Sequence, residues 1–78
     1  MYVYLLRSRS HPDQTYVGVT PDVRHRLAEH NAAQAVHTAK FIPWDLEICL
    51  WFSNDQKAFQ FEQYLKTGSG RAFRSKHF

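Results

Sequence analysis

The chain has 78 residues, a formal net charge of +3, and 44% hydrophobic and 15% aromatic residues. That length suits one small domain and not two, and the apolar content excludes a disordered chain. A single cysteine, Cys49, rules out an internal disulfide and a cysteine-based zinc site.

Residues 2–7 are aromatic and aliphatic and predict a strand, with Tyr2, Tyr4 and Leu6 on one face and Val3 and Leu5 on the other. Ser, His, Pro and Asp in residues 8–14 mark a loop. Residues 15–19 predict the second strand of a hairpin, Tyr16 and Gly18 sharing a face opposite Val17 and Val19. Tyr4 and Tyr16 are thereby expected on one side of the sheet, on neighbouring strands.

Thr20-Pro21-Asp22 reads as a helix start: Thr20 as cap, Pro21 at the first helical position, Asp22 at the positive end. The helix is expected to reach Asn31, with Val23, Leu27 and His30 on one stripe and Arg26 at its edge, one turn before His30; Arg24, His25 and Glu29 point elsewhere. Residues 32–43 have no clear period, and residues 32–35 are expected to extend the helix briefly before a loop through Pro43. Residues 45–52 predict the central strand, with Cys49 as a buried thiol. Ser53 followed by Gln56 suggests a capping box for a helix over 54–67, whose apolar stripe Ala58, Phe61 and Leu65 is interrupted by Glu62. Gly68 is expected to cap its end and Ser69 to open a last short helix. No targeting or membrane segment is visible, the longest apolar run being residues 48–52, so a soluble cytoplasmic protein without membrane contact is expected.

Positive charge is concentrated at Lys66, Arg71, Arg74 and Lys76, and at Arg7, Arg9, Arg24 and Arg26, which favours a polyanionic partner. Glu62 is costly to bury unless it is paired. Either it ion-pairs with Lys66 or Arg26, or it holds a hard cation such as Mg²⁺. Taken singly, Tyr4 and Tyr16 fit core aromatics as well as catalytic phenols. Arg26 fits a solvated charge as well as a phosphate contact, and His30 a satisfied buried imidazole as well as a proton carrier. The five histidines form no His-x-x-x-His pair, no Gly-rich phosphate loop is present, and no Ser-His-Asp set can be picked out.

Taken together these residues resemble the GIY-YIG nuclease family. Tyr2-Val3-Tyr4 stands where the family has its first motif and Tyr16-Val17-Gly18 where it has its second; Arg26 follows Tyr16 by ten residues, His30 follows four later, and Glu62 lies thirty-six beyond Arg26. The segment from Glu62 to Arg71, with Thr38-Ala39-Lys40 and Pro43-Trp44, is similar to small stand-alone bacterial members, akin to the nuclease module at the start of the excision-repair endonuclease subunit. The resemblance implies an α+β fold, a small three-stranded, mainly antiparallel sheet flanked by helices, as one domain over residues 1–78. It also implies hydrolysis of DNA phosphodiester bonds, in repair or recombination, with one Mg²⁺ or Mn²⁺ on Glu62. Arg26 would neutralise a phosphate oxygen, Tyr4 and Tyr16 would position the water, and His30 would accept a proton directly or through Tyr16. Arg24, Lys40, Lys66, Arg71 and Arg74 would grip the nucleic acid, with specificity low, structural, or supplied by a protein partner.

The sequence departs from the family pattern at Tyr2, which replaces a glycine, and at Val19, where some members carry a Lys; a late Asn used by others has no counterpart. Those departures leave open a binding module that cuts little by itself. An interaction domain working through exposed Trp44 and Trp51 is a third reading.

Overall fold

A strand that is apolar on both faces belongs in the middle of a sheet, and β1 (Tyr2–Ser8) takes that place: the strand order is β2-β1-β3, with β2 spanning Thr15–Thr20 and β3 Trp44–Trp51. The computed structural model describes all residues, 1–78. Both pairings are antiparallel, and β1 meets β2 with Tyr4 opposite Gly18 and Leu6 opposite Tyr16. The register with β3 shifts between Leu5 and Leu6, so that Glu47 is the extra residue of a bulge and reaches Arg7 at 2.9 Å.

The expectation that residues 45–52 form the central strand is corrected. β3 lies at an edge, and only Trp44 is buried along it; Cys49, Leu46, Leu50 and Trp51 are exposed. Its apolar run resembles a buried strand because periodicity reports the residues and not the cover over them. Cys49 is therefore not a buried thiol, and Trp44 is not an exposed aromatic.

Helix α1 (Val23–Asn31) and the single turn α2 (Val36–Ala39) cover one face of the sheet, where Tyr4, Leu6 and Trp44 pack with Tyr16, Val23, Leu27 and Phe41. Helices α3 (Asp55–Leu65) and α4 (Gly68–His77) cover the other, where Val3, Leu5, Val17, Ala58 and Leu65 form the core with Phe61 and Phe73 against them. The two faces of β1 thus separate the tyrosine side of the sheet from the Glu62 helix.

The caps fall one or two residues from their expected positions. Asp22, not Thr20, caps α1 by accepting from the His25 amide, while the Thr20 hydroxyl accepts from Asp22. Asn54, not Ser53, caps α3 through the Lys57 amide, and Thr67 caps α4 through Gly70. Gly68 is the first residue of α4 rather than a left-handed C-cap. Helix α1 stops at Asn31 because Ala33 takes a left-handed φ of 59°, and the Gln34 and Ala33 amides bond back to Glu29 and His30 carbonyls. That is the Schellman arrangement, with alanine where glycine is usual.

Candidate active site

The register places Tyr4 over Gly18, and the phenol lies across the glycine backbone: a Cβ at Gly18 would stand 2.5 Å from Tyr4 Cζ. Held there, Tyr4 is buried and its hydroxyl lies 3.2 Å from His30 Nε2. His30 Nδ1 in turn lies 2.9 Å from the Thr38 hydroxyl. The Tyr16 ring packs against the imidazole at 4.8 Å and against Tyr4 at 6.3 Å. Tyr4, His30 and Thr38 form a buried polar line crossing from β1 through α1 to α2, each member no more than 3% exposed.

Thr38 is fixed by its neighbours. Its carbonyl accepts from the Trp44 indole at 2.9 Å, its hydroxyl lies 3.3 Å from the Ala35 carbonyl, and Asn31 clasps the Trp44 backbone at both N–H and C=O.

Burial sets the electrostatics. Loss of solvation, then the neighbouring Tyr16 phenol, push Tyr4 well above the usual tyrosine range, with Arg26 opposing. Burial, then the Arg26 charge, lower His30 from its ordinary 6.5, with Glu29 opposing. At neutral pH the site holds a protonated phenol against a neutral imidazole. Arg26 itself is half exposed, its Nε 3.5 Å from Glu29 Oε1 and not paired with Glu62.

Glu62 lies on α3 and is 7% exposed, with Lys66 Nζ at 2.9 Å and the Gln63 amide at 3.2 Å. Of the two ion pairs open to it, the one with Lys66 is present. Its charge is the smallest of the contributions that raise Tyr4. Lys66 lines a groove of about 450 Å³ with Tyr16, Thr15, Arg71 and Arg74, running past the outer edge of β2. The groove thus joins the tyrosine face to the Glu62 helix around the free strand edge.

Arg74 Nη1 is 3.4 Å from the Thr15 hydroxyl, while its Nε is buried without a partner. Burial and the adjacent Arg71 both lower its pKa. A second hollow shares Thr15, Arg71 and Arg74 and adds Arg7. Anionic oxygens would relieve this crowding of cations.

The structure brings Tyr4, Tyr16 and His30 into contact and places Arg26 beside them. Lys66, Arg71 and Arg74 gather along the groove with Tyr16. Arg24 lies apart, against a hollow formed with Tyr2, Leu46 and Cys49, and Lys40 is exposed at the end of α2. Thr38 carries no role in the sequence pattern; His30, expected to accept a proton directly or through Tyr16, has its Nε2 in hydrogen-bond reach of Tyr4 and its ring packed on Tyr16. No three His, Cys, Asp or Glu side chains converge anywhere, so a cation on Glu62 would keep most of its coordination as water, as Mg²⁺ does. The Lys66 ammonium shows that the carboxylate accommodates positive charge on its accessible side. No helix is long and apolar enough to cross a membrane.

Residues 1–76 match the family model described as the GIY-YIG catalytic domain. The "Structure-specific endonuclease subunit SLX1" of Malassezia globosa is 38% identical over 79 residues, covering 95% of this chain and 18% of that protein. The protein of the same name from Debaryomyces hansenii is 42% identical over 72 residues, covering 82% and 20%. That from Candida dubliniensis is 34% identical over 82 residues, covering 96% and 27%. The chain therefore spans about a fifth to a quarter of these relatives' length. No solved structure matches.

Proposed function

Because this chain belongs to the GIY-YIG catalytic-domain family, we propose that it is a metal-dependent endonuclease that hydrolyses phosphodiester bonds of branched or otherwise structured DNA, the kind formed in repair and recombination. The names of its relatives, structure-specific endonuclease subunits, support cleavage directed by nucleic-acid structure. The observation that carries the reading is the buried Tyr4–His30 contact at 3.2 Å, beside a groove rimmed by Lys66, Arg71 and Arg74.

A phenol with a raised pKa is a poor base by itself. It serves if it hands on its own proton while taking one, and His30 stands at the receiving position. The water's proton would pass to Tyr4 Oη, the Tyr4 proton to His30 Nε2, and the water oxygen to phosphorus. The bond from phosphorus to the 3′ oxygen breaks. Tyr16, its ring against His30 and its edge on the groove, holds the scissile phosphate beside that pair. Arg26 neutralises a non-bridging oxygen as charge grows. Glu62 would hold the divalent cation, Mg²⁺ or Mn²⁺, which when bound supplies positive charge beside the phosphate and the departing oxygen. Lys66 must then release Glu62 and turn to the nucleic acid, which its half-exposed side chain permits. Phosphate contacts from Lys66, Arg71 and Arg74 carry no base information, so specificity comes from DNA shape or from a partner protein.

One observation favours a second reading, a nucleic-acid-binding module that cuts little. Both charged groups needed for chemistry are internally neutralised, Glu62 by Lys66 and Arg26 by Glu29. Purified protein incubated with branched, nicked and single-stranded DNA and Mg²⁺ or Mn²⁺ separates the two, with Glu62→Ala alongside. Cleavage lost in the variant supports the nuclease; binding without cleavage on every substrate supports the module.

A further inference from the structure

We propose that Thr38 is a positioning residue for the reaction, holding His30 in the tautomer that carries its proton on Nδ1 and leaves Nε2 open towards Tyr4. The proposal rests on the nuclease reading for its consequence, and on hydrogen-bond counting for its substance.

Three buried groups in line each have one proton to place: the Tyr4 hydroxyl, the neutral His30 imidazole and the Thr38 hydroxyl. Tyr4 Oη has a single partner in the protein, His30 Nε2. Thr38 Oγ1 has the imidazole on one side and the Ala35 carbonyl, a pure acceptor, at 3.3 Å on the other. With the proton on Nδ1 every donor is satisfied: Tyr4 donates to Nε2, Nδ1–H donates to Thr38, and Thr38 donates to Ala35. With the proton on Nε2, the ring donates to Tyr4 and Thr38 donates to Nδ1. The Tyr4 proton then has no protein acceptor and can point only to the side from which a reacting water must approach, so the phenol oxygen cannot take that water's proton there. The Thr38 hydroxyl, turned to Nδ1, also gives up its bond to the Ala35 carbonyl.

The surroundings hold this arrangement. Bonding of a threonine hydroxyl to the carbonyl three residues back is local, so it persists while the turn does. The turn is pinned by the Trp44 indole on the Thr38 carbonyl and by the Asn31 clasp on Trp44. The groups facing the ring are Tyr4 from β1, Tyr16 from β2, Thr38 from α2, and Arg26 and Glu29 from its own helix. None of these offers Nδ1 an acceptor other than Thr38.

The tautomer decides the chemistry. An open Nε2 can receive the Tyr4 proton in the same step that Tyr4 takes one from water. A protonated Nε2 closes that path and turns the imidazole into a donor that merely fixes the phenol oxygen. Thr38 touches no substrate and acts through His30.

The test is nitrogen NMR of the histidine side chains in the full chain at neutral pH, with single-turnover DNA cleavage and DNA affinity measured in parallel. Wild-type His30 is expected as the Nδ1–H form. Thr38→Val removes the acceptor, so the Nε2–H form gains population and cleavage slows about tenfold or more at unchanged DNA affinity. Thr38→Ser keeps the hydroxyl and restores both tautomer and rate. A wild-type His30 in the Nε2–H form overturns the proposal whether or not the valine variant folds, as does an unchanged tautomer in a folded Thr38→Val. Failure of the nuclease reading looks different: the wild-type protein cuts no DNA while the tautomer and its response to Thr38→Val are as expected.

Discussion

Tyr4 occupies the volume that a side chain at Gly18 would need, two residues facing each other across adjacent strands. Gly18 is required for space and not for backbone freedom, since no glycine has a positive φ. Replacing it with alanine forces the phenol off the strand and breaks its contact with His30. Gly18→Ala is expected to lower stability by about 1–3 kcal/mol and to abolish most cleavage. Denaturant melts and the histidine NMR of the variant check both effects. An alanine variant with wild-type stability and activity would show that the ring has room to spare.

His30 makes stability depend on acid. Its folded-state pKa is depressed below the ordinary 6.5, so the unfolded chain binds the proton first as pH falls. Stability contributed by the neutral ring is full above 6.5, declines as pH drops below it, and levels off only below the lower folded value. The slope cannot exceed about 1.4 kcal/mol per pH unit, the limit for one proton. Thermal melts across the titration range of histidine, from about pH 7.5 to about pH 5, are expected to show the loss, and His30→Phe to flatten it.

The helix that carries Arg26 and His30 ends on a left-handed alanine, Ala33 at φ 59°. That conformation costs an L-residue about 1–2 kcal/mol. Ala33→Gly is therefore expected to stabilise the protein by about 1 kcal/mol, read from the chemical-denaturation midpoint. It leaves the Tyr4–His30 contact untouched. Destabilisation would mean that the turn is held by something other than its backbone.

Arg71 and Arg74 stand i and i+3 on α4 and line the same groove as Tyr16. Each contact to a phosphate that is lost reduces the salt dependence of DNA binding by about one in slope. Arg71→Ala and Arg74→Ala should each do so on any DNA sequence. Arg24→Ala and Lys40→Ala should change the slope less, because those side chains lie away from the groove. Binding titrations over a range of salt give the slopes directly.

Much of this site was legible in the sequence because alternation in strands and the 3.6-residue period in helices are local rules. They placed Tyr4 and Tyr16 on one face of neighbouring strands, His30 on the inner stripe of α1, and Glu62 among Ala58 and Leu65 on α3. What local rules miss is cover and company. Residues of β3 and β1 are apolar alike, yet β3 is an edge, because which strand receives two neighbours is a matter of topology. Thr38 lies in a stretch without period, on a turn of four residues, and its meaning comes only from its hydrogen bonds to His30 and Trp44, which no local period relates to it. Cap positions slipped because Thr20, Asp22, Ser53, Asn54 and Thr67 are all competent caps, and only the amide each can reach decides among them.

Tyr4 and Glu62, on opposite faces of the sheet, are proposed to serve one reaction across the edge of β2. Single-turnover cleavage of a branched DNA with Mg²⁺, by the wild type, Tyr4→Phe, Glu62→Ala and the double variant, tests it most directly. Groups that act as a unit are expected to be strongly non-additive. Each single variant should lose about a hundredfold or more in rate, and the double variant should be little slower than the worse of the two. Independent losses that multiply in the double variant, or wild-type cutting by either single one, would contradict the account.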